Sequence, residues 1–378
     1  MKIALYCPNK PLQDPDPSGD LSIARSLETA LVGMGHDCRE APACRTRWFW
    51  KSRRGWADVL VGLFHAFRWT ISFRPEAWLT YHTYYKSPDV FGPALTRMLS
   101  IPYFLFQPMY STKRGKDPET RVGFKLNRLA LLCARQAFTN NMNDIEALRR
   151  VLPKEKIIYL PPGIFPEDFR RDADAGRIIR ESYGIPKDAP LLMTAARFRP
   201  GVKFQSLNYL FRSLALLKSS QVPFLLLAVG DGPMEGRLRA MAGELLPGQV
   251  MFTGRVAREE MWRYYSAADV FVFPGIGESL GMVFLEAQAC ALPVVALDVA
   301  GVPQVVELDK TALLTAKDDG QSLAEALRKL IKDPELRHKM GANGRRFIAE
   351  KRNLHHNYLE LDRWLQAEVL SLRDEMEL

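Results

Sequence analysis

Gly275-Ile276-Gly277-Glu278-Ser279-Leu280-Gly281-Met282-Val283-Phe284-Leu285-Glu286-Ala287-Gln288-Ala289-Cys290 lies between two short apolar runs, Val270 to Phe273 and Val294 to Leu297. The runs have the length of buried strands, and the segment between them passes from a glycine-rich loop to helical spacing. Val283, Phe284, Ala287 and Cys290 recur at that spacing, and Gly281 stands where the loop turns into the helix. Strand, loop, helix and strand in this order make a parallel α/β unit whose loop emerges at the carboxyl edge of the sheet. A helix start there offers free N–H groups and a positive dipole end, which suit a phosphate. Glu278 and Glu286, eight positions apart, then read either as an acid and base pair or as clamps on the hydroxyls of a bound sugar.

The same rhythm extends upstream. Leu191 to Ala196, Phe224 to Val229 and Gln249 to Thr253 are further expected strands, with a helix from about Ser206 to Lys218. Arg197-Phe198-Arg199-Pro200-Gly201-Val202-Lys203 leaves the first of these directly, so Arg197 and Lys203 are expected at the sheet edge that carries the glutamates. A guanidinium fork and an ammonium point charge suit a diphosphate. Gly230-Asp231-Gly232-Pro233 is a second strand-exit turn; it lacks the G-x-G-x-x-G order of a dinucleotide fingerprint.

In the other half, Met1 to Cys7 reads as a first buried strand that stops at Pro8, and no signal peptide is expected there. A loop containing Gly19 and a helix closing at Gly33 and Gly35 follow. Ala77 to Tyr81 reads as a strand delivering His82 to a substrate-facing loop; histidine titrates near neutrality and suits general-base work. Tyr103 to Gln107 is the next strand, and Lys113 and Arg114 in the loop beyond it are candidates for holding an anionic acceptor. Pro161-Pro162-Gly163-Ile164-Phe165-Pro166 breaks the periodicity and marks a linker. Residues 1–165 are therefore assigned to an N-terminal acceptor-binding domain and residues 166–353 to a C-terminal donor-binding domain. Residues 354–378 are assigned to a helix.

The chain has 378 residues, long for one core, and its 47% hydrophobic and 25% charged content excludes a disordered chain. Residues 1–165 hold 24 Lys and Arg against 14 Asp and Glu, which accounts for the whole excess of +9. Arg45-Thr46-Arg47-Trp48-Phe49-Trp50-Lys51-Ser52-Arg53-Arg54-Gly55-Trp56, followed by Val59-Leu60-Val61-Gly62-Leu63-Phe64-His65-Ala66-Phe67-Arg68-Trp69, mixes cations with tryptophans. That mixture suits the headgroup level of an anionic membrane, or else it is the solvated lead-in to a core helix from residue 57. No nucleic-acid module surrounds it. Five scattered cysteines without a C-x-x-C pair point to reduced thiols in a cytoplasmic setting. No metal is expected: Asp14-Pro15-Asp16 and Asp172-Ala173-Asp174 read as accidental D-x-D matches.

Several of these segments occur in a telling order. They are Arg197 with Lys203, Val229-Gly230-Asp231-Gly232-Pro233, Phe252-Thr253-Gly254-Arg255-Val256, Ala268-Asp269-Val270, and Glu278 to Glu286 followed by Ala291-Leu292-Pro293-Val294-Val295. The set resembles the group 1 retaining glycosyltransferases of the GT-B fold, the family-four type. Through the N-terminal half the resemblance rests on the Gly19 loop, Gly35-His36-Asp37 and Leu160-Pro161-Pro162-Gly163-Ile164.

The resemblance implies an α/β chain of two doubly wound Rossmann-like domains facing each other across a cleft, with the last helix packing back on the N-terminal domain. It implies a metal-independent hexosyltransferase, with no cofactor and a nucleotide-diphosphate sugar as co-substrate. The acceptor would be a glycan or lipid-linked hydroxyl in cell-envelope polysaccharide or glycolipid synthesis, with peripheral contact at the inner membrane face. On this resemblance Arg197 and Lys203 hold the diphosphate, Glu286 the ribose, and Glu278 the donor sugar. Ser279, Leu280, Gly281 and Gly230 belong to the donor site, and Arg255 and Val256 line the base pocket. Gly19 belongs with Lys113 and Arg114 on the acceptor side, while His82 is the catalytic candidate there, although the family's histidine usually follows the strand that here ends in Gln107-Pro108. A nucleotide-sugar epimerase and a non-catalytic sugar-nucleotide or glycan-binding protein are the alternatives.

Overall fold

The computed structural model describes residues 1–15, 19–318 and 320–377, those at 19, 20, 376 and 377 by backbone alone. In chain order the first elements are β1 (Lys2–Tyr6), α1 (Gly19–Gly33), β2 (Asp37–Glu40), α2 (Arg53–Phe73), β3 (Ala77–Tyr81), α3 (Gly92–Leu99), β4 (Tyr103–Phe106), α4 (Lys113–Lys116), α5 (Arg121–Cys133), β5 (Gln136–Thr139), α6 (Met142–Leu148) and β6 (Ile157–Tyr159). They continue with α7 (Ala173–Ser182), β7 (Leu191–Ala195), α8 (Val202–Ser219), β8 (Leu225–Val229), α9 (Glu235–Leu245), β9 (Val250–Gly254), α10 (Met261–Ala267), β10 (Val270–Val272), α11 (Met282–Ala289), β11 (Val294–Leu297), β12 (Ala312–Thr315), α12 (Gln321–Lys332), α13 (Pro334–Lys351) and α14 (Leu354–Glu377). The chain divides into two compact units, Met1–Pro161 with His355–Leu378, and Pro162–Leu354.

Each unit holds one six-stranded parallel sheet with helices around it, in the orders β2-β1-β3-β4-β5-β6 and β12-β11-β10-β7-β8-β9. Parallel strands are covered on both faces, so their central members read as continuous apolar runs. Ala77–Tyr81 and Tyr103–Phe106 are buried at every position, as are Leu191–Ala195 and Val294–Leu297. α8 begins at Val202, about a turn before the expected Ser206, because Gly201 (φ 80°) reverses the chain immediately ahead of it. Asp172 caps α7 by accepting from Ala175 N–H at 2.9 Å.

In the tryptophan-rich stretch Thr46 and Phe49 are buried, Trp48 and Trp50 are half-buried, and the cations and Trp56 are exposed. Trp48 and Trp50 lie 5.3 Å apart, and α2 starts at Arg53, not at 57. Ser52 caps α2 by accepting from Gly55 N–H at 3.0 Å. Val59, Gly62, Ala66, Thr70 and Phe73 face the core, whereas Trp56, Leu60, Val61 and Phe64 are exposed.

α14 belongs to the first unit. Its Asp362 pairs with His36 at 2.7 Å, Glu368 and Glu375 accept from Arg135, and Arg373 pairs with Glu76. Tyr358 packs on Phe106, and Asn357 donates to Pro161 O at 2.6 Å. In the same unit the buried Asp89 accepts from Thr80, Tyr103 and the N–H groups of Phe91 and Gly92, which ties β3, β4 and α3 together.

Asp144 lacks such support. Burial pushes its carboxyl up to about 6. A folded-state value above the ordinary ~3.9 means that ionisation works against folding, so stability falls as pH rises from about 4 through 6. Asp144→Asn is therefore expected to raise unfolding free energy by ~1–2 kcal/mol at pH 7.5, with little change at pH 3.5. Urea unfolding at the two pH values checks this, and an equal gain at both would contradict it.

Candidate functional site

In the second unit, β7 and β10 pair in parallel at the centre of the sheet, and the chain winds outward from them in opposite directions. Their carboxyl ends flank a topological switch point, where open α/β sheets bind ligands. Lys203 follows β7 and Glu278 follows β10; the fold brings them into contact as an ion pair through Nζ and Oε2. The two side chains are 31% and 18% exposed, so the pair is open to a ligand yet partly shielded from water. Lys203 Nζ also lies 5.1 Å from the centre of the Phe273 ring, at the exit of β10.

The Glu278 loop is fixed from two sides. Gly275, Gly277 and Gly281 have φ of 77°, 68° and 63°, which residues with a Cβ rarely adopt. Ile276 N–H donates to the buried Ser206 Oγ of α8 at 3.0 Å. From the loop after β11, Gly301 N–H donates to Glu278 O at 2.9 Å, and a Cβ on Gly301 would overlap Ser279 O. Ser279 is exposed and Leu280 half-buried at the crest, and Gly281 caps α11 in the left-handed region.

Arg197 leaves β7 and meets the turn after β8. Its Nε lies 3.5 Å from Asp231 Oδ1, an ion pair with no hydrogen bond, so both atoms are buried and unsatisfied. Backbone bonds lock the two turns, Phe198 N–H to Asp231 O at 2.8 Å and Met234 N–H to Phe198 O at 2.9 Å. Gly230 is required because a Cβ there would overlap Ala196 O. Its N–H donates to Gly254 O at 3.0 Å, which brings the exposed Arg255 and half-buried Val256 beside the same turn.

Glu286 sits in the second turn of α11, 5% exposed. Arg258 Nη1 donates to its Oε1 at 2.8 Å and Tyr265 OH to its Oε2 at 3.0 Å. Burial and the adjacent carboxylate hold the Tyr265 phenol well above its usual range. Each carboxylate oxygen keeps a further lone pair for a ligand hydroxyl. Arg258 and Tyr265 were missed in the sequence, since they lie 28 and 21 residues from Glu286. The one available signal was the carboxylate itself, which needs partners inside an apolar helix.

The remaining candidates lie in the first unit. His82 follows β3 in the left-handed region (φ 58°), its N–H donating to Phe106 O at 2.8 Å and its ring centre 5.0 Å from that of Tyr84. Gln107 follows β4 in the same conformation (φ 54°), with its side-chain Nε2 buried and unpartnered. Gly19 opens α1 after β1, next to β3 in the sheet order, though its surroundings lie outside the described residues. Lys113 and Arg114 are exposed on α4, with the Arg114 guanidinium 4.6 Å from the Tyr85 ring centre. Asp16 lies outside the described residues, and among those described no three His, Cys, Asp or Glu side chains gather to hold a metal ion.

Gly301→Ala is expected to displace the Glu278 loop without unfolding the sheet. Tm should drop by several degrees with far-UV circular dichroism unchanged, measured by differential scanning fluorimetry and circular dichroism; an unaltered Tm would contradict the clamp.

Known proteins similar to this chain share its architecture. Residues 176–347 match the family described as glycosyl transferases group 1. A GDP-mannose-dependent alpha-(1-6)-phosphatidylinositol monomannoside mannosyltransferase of Mycolicibacterium smegmatis is 34% identical over 206 residues, 52% of this chain and 53% of that protein. A D-inositol 3-phosphate glycosyltransferase of Streptomyces avermitilis is 27% identical over 276 residues, covering 70% of this chain and 58% of the relative. The chain thus spans about half the length of the curated relatives it matches. Among solved structures, sucrose-phosphate synthase from Thermosynechococcus elongatus superposes with a TM-score of 0.74 at 21% identity, over 98% of this chain and 100% of the other. Anabaena HepE in complex with UDP does so with a TM-score of 0.73 at 17% identity, over 97% and 100%. Residues 176–347 thus match the group 1 glycosyltransferase family, and the chain has the α/β architecture of the GT-B fold.

Proposed function

We propose that this chain transfers a hexosyl group, with retention of configuration, from a nucleoside diphosphate sugar to a hydroxyl of a lipid-linked or glycan acceptor. The observation that carries the reading is the Lys203–Glu278 pair at the switch point of the second unit, with the unsatisfied Arg197 Nε leaving the neighbouring strand. Arg197 and Lys203 bind the diphosphate. Glu286, already oriented by Arg258 and Tyr265, accepts from ribose hydroxyls, and Glu278 accepts from a hydroxyl of the donor sugar. Arg255, Val256 and the Gly230 turn border the base, while Ser279, Leu280 and the Gly281 helix start complete the donor site.

The acceptor oxygen attacks the anomeric carbon on the face from which the diphosphate leaves. The carbon–oxygen bond to phosphate breaks with its electron pair on the diphosphate, and a phosphate oxygen takes the acceptor proton. Fixed cations carry most of the barrier reduction, and loss of one such interaction costs ~3 kcal/mol. His82, Gly19, Lys113 and Arg114 are assigned to the acceptor side. GDP-mannose with an inositol-bearing lipid is the first combination to assay, since it is what the mycobacterial relatives' names specify.

Lys203→Ala and Glu286→Ala are each expected to lower turnover about 100-fold or more while circular dichroism stays unchanged. Transfer from radiolabelled nucleotide sugars measures this, and proton NMR of the product's anomeric coupling tests retention. Near-normal turnover in both variants would refute the assignment.

Membrane contact is assigned to α2. Trp56, Leu60, Val61 and Phe64 are exposed on it, with Arg53, Arg54 and Arg68 also exposed on the same helix. Among the described residues no helix is long and apolar enough to cross a membrane, so the contact would be interfacial. Leu60→Glu with Phe64→Glu is expected to reduce flotation with phosphatidylglycerol vesicles at least fivefold. Equal recovery of wild type on neutral phosphatidylcholine and anionic vesicles would count against it.

A further inference from the structure

A groove of about 710 Å³ in the second unit is lined by Arg171, Arg337, Arg345 and Arg346, with His338 and Asp269 beside them. It lies at the amino edge of the sheet, opposite the switch point. Asp269 N–H donates to Leu191 O at the start of β7, and Pro293, also in the lining, precedes β11. α11 connects the two edges, running from Gly281 at the Glu278 loop to Cys290 at the groove.

The groove's charge is one-sided. Its carboxylate, Asp269, is neutralised by Arg180 at 2.8 Å and also accepts from Leu191 N–H. None of the four lining arginines pairs with a carboxylate among the described residues. Arg171 donates to Ala268 O and Ala291 O, each at 3.3 Å; Arg337 donates to Leu330 O at 2.6 Å and Ile331 O at 2.8 Å; Arg346 donates to Asn343. Backbone carbonyls thus orient two guanidiniums without cancelling their charge. Four unneutralised guanidiniums converging on one groove repel one another, and an anion removes that repulsion. Guanidinium forks match phosphate oxygens in pairs.

Size and lining narrow the ligand. The volume falls within the range of small-molecule pockets. Ala291, Pro293, Pro334, Ala342 and Ala349 make the walls, and no Phe, Tyr or Trp ring lines them. We propose that this groove is a second anion site, taking a small phosphorylated molecule with two or more phosphate charges, separate from the site between β7 and β10.

The test uses inorganic pyrophosphate and the full chain carrying Lys203→Ala with Arg197→Ala, which disables the other cation pair. Isothermal titration is expected to show one remaining site, weakened at least tenfold by Arg345→Ala with Arg346→Ala, both exposed side chains whose loss leaves the core intact. The same double substitution in the otherwise unaltered chain should leave nucleoside diphosphate affinity unchanged. Pyrophosphate binding that persists undiminished without Arg345 and Arg346, or its complete absence once Lys203 and Arg197 are removed, would overturn the proposal.

Discussion

Parallel pairing of β7 with β10 is the constraint on which the Lys203–Glu278 site depends. Parallel neighbours need crossover connections, and right-handed crossovers running opposite ways from a central pair leave a gap at their carboxyl ends. The loops after β7 and β10 meet at that gap, so Lys203 and Glu278, 75 residues apart, become neighbours. Everything around them serves to hold the two loops still: Gly301 pressing on the 278–279 backbone, Ser206 reaching Ile276, and the 198–234 backbone bonds behind Arg197. Sheet topology sets the address and local backbone packing sets the precision.

The fold was legible where strands are central. Buried on both faces, β3, β4, β7, β8 and β11 announce themselves as apolar runs bounded by turn residues. β2, β5 and β12 were not recognised. Asp37-Cys38-Arg39-Glu40 is an edge strand of mostly polar residues, and Gln136-Ala137-Phe138-Thr139 is a buried strand with polar groups at both ends. Ala312-Leu313-Leu314-Thr315 is an edge strand on the other sheet, only four residues long. Polar residues in or at the ends of these segments leave no uninterrupted apolar run, whereas β4 and β11, equally short, are apolar throughout. For the tryptophan-rich stretch, composition says that rings and cations are close, but not that Trp48 and Trp50 pack together or which apolar side chains of α2 stay exposed.

Site residues divide along a similar line. Arg197, Lys203, Glu278 and Glu286 could be nominated because each follows a recognisable strand or opens a recognisable helix. Their partners could not, because contacts such as Glu286 with Tyr265 or Arg197 with Asp231 are made by chain segments whose approach is a property of the folded sheet. Glycine was the hardest to interpret: Gly230 and Gly301 are demanded by carbonyl oxygens of other loops, a reason invisible until those loops are in place.

The return of α14 to the first unit has a consequence for how the chain is made. Pro162–Leu354 emerges from the ribosome as an uninterrupted stretch and can complete its own sheet, whereas the first unit must wait for its final helix. At ~5–20 residues per second, that wait lasts roughly 10–40 s. Throughout it His36, Arg135 and Glu76 lack their partners on α14, and Phe106 lacks the ring of Tyr358. Apolar surface on the nascent first unit is thus uncovered for that interval, when it is open to misassembly.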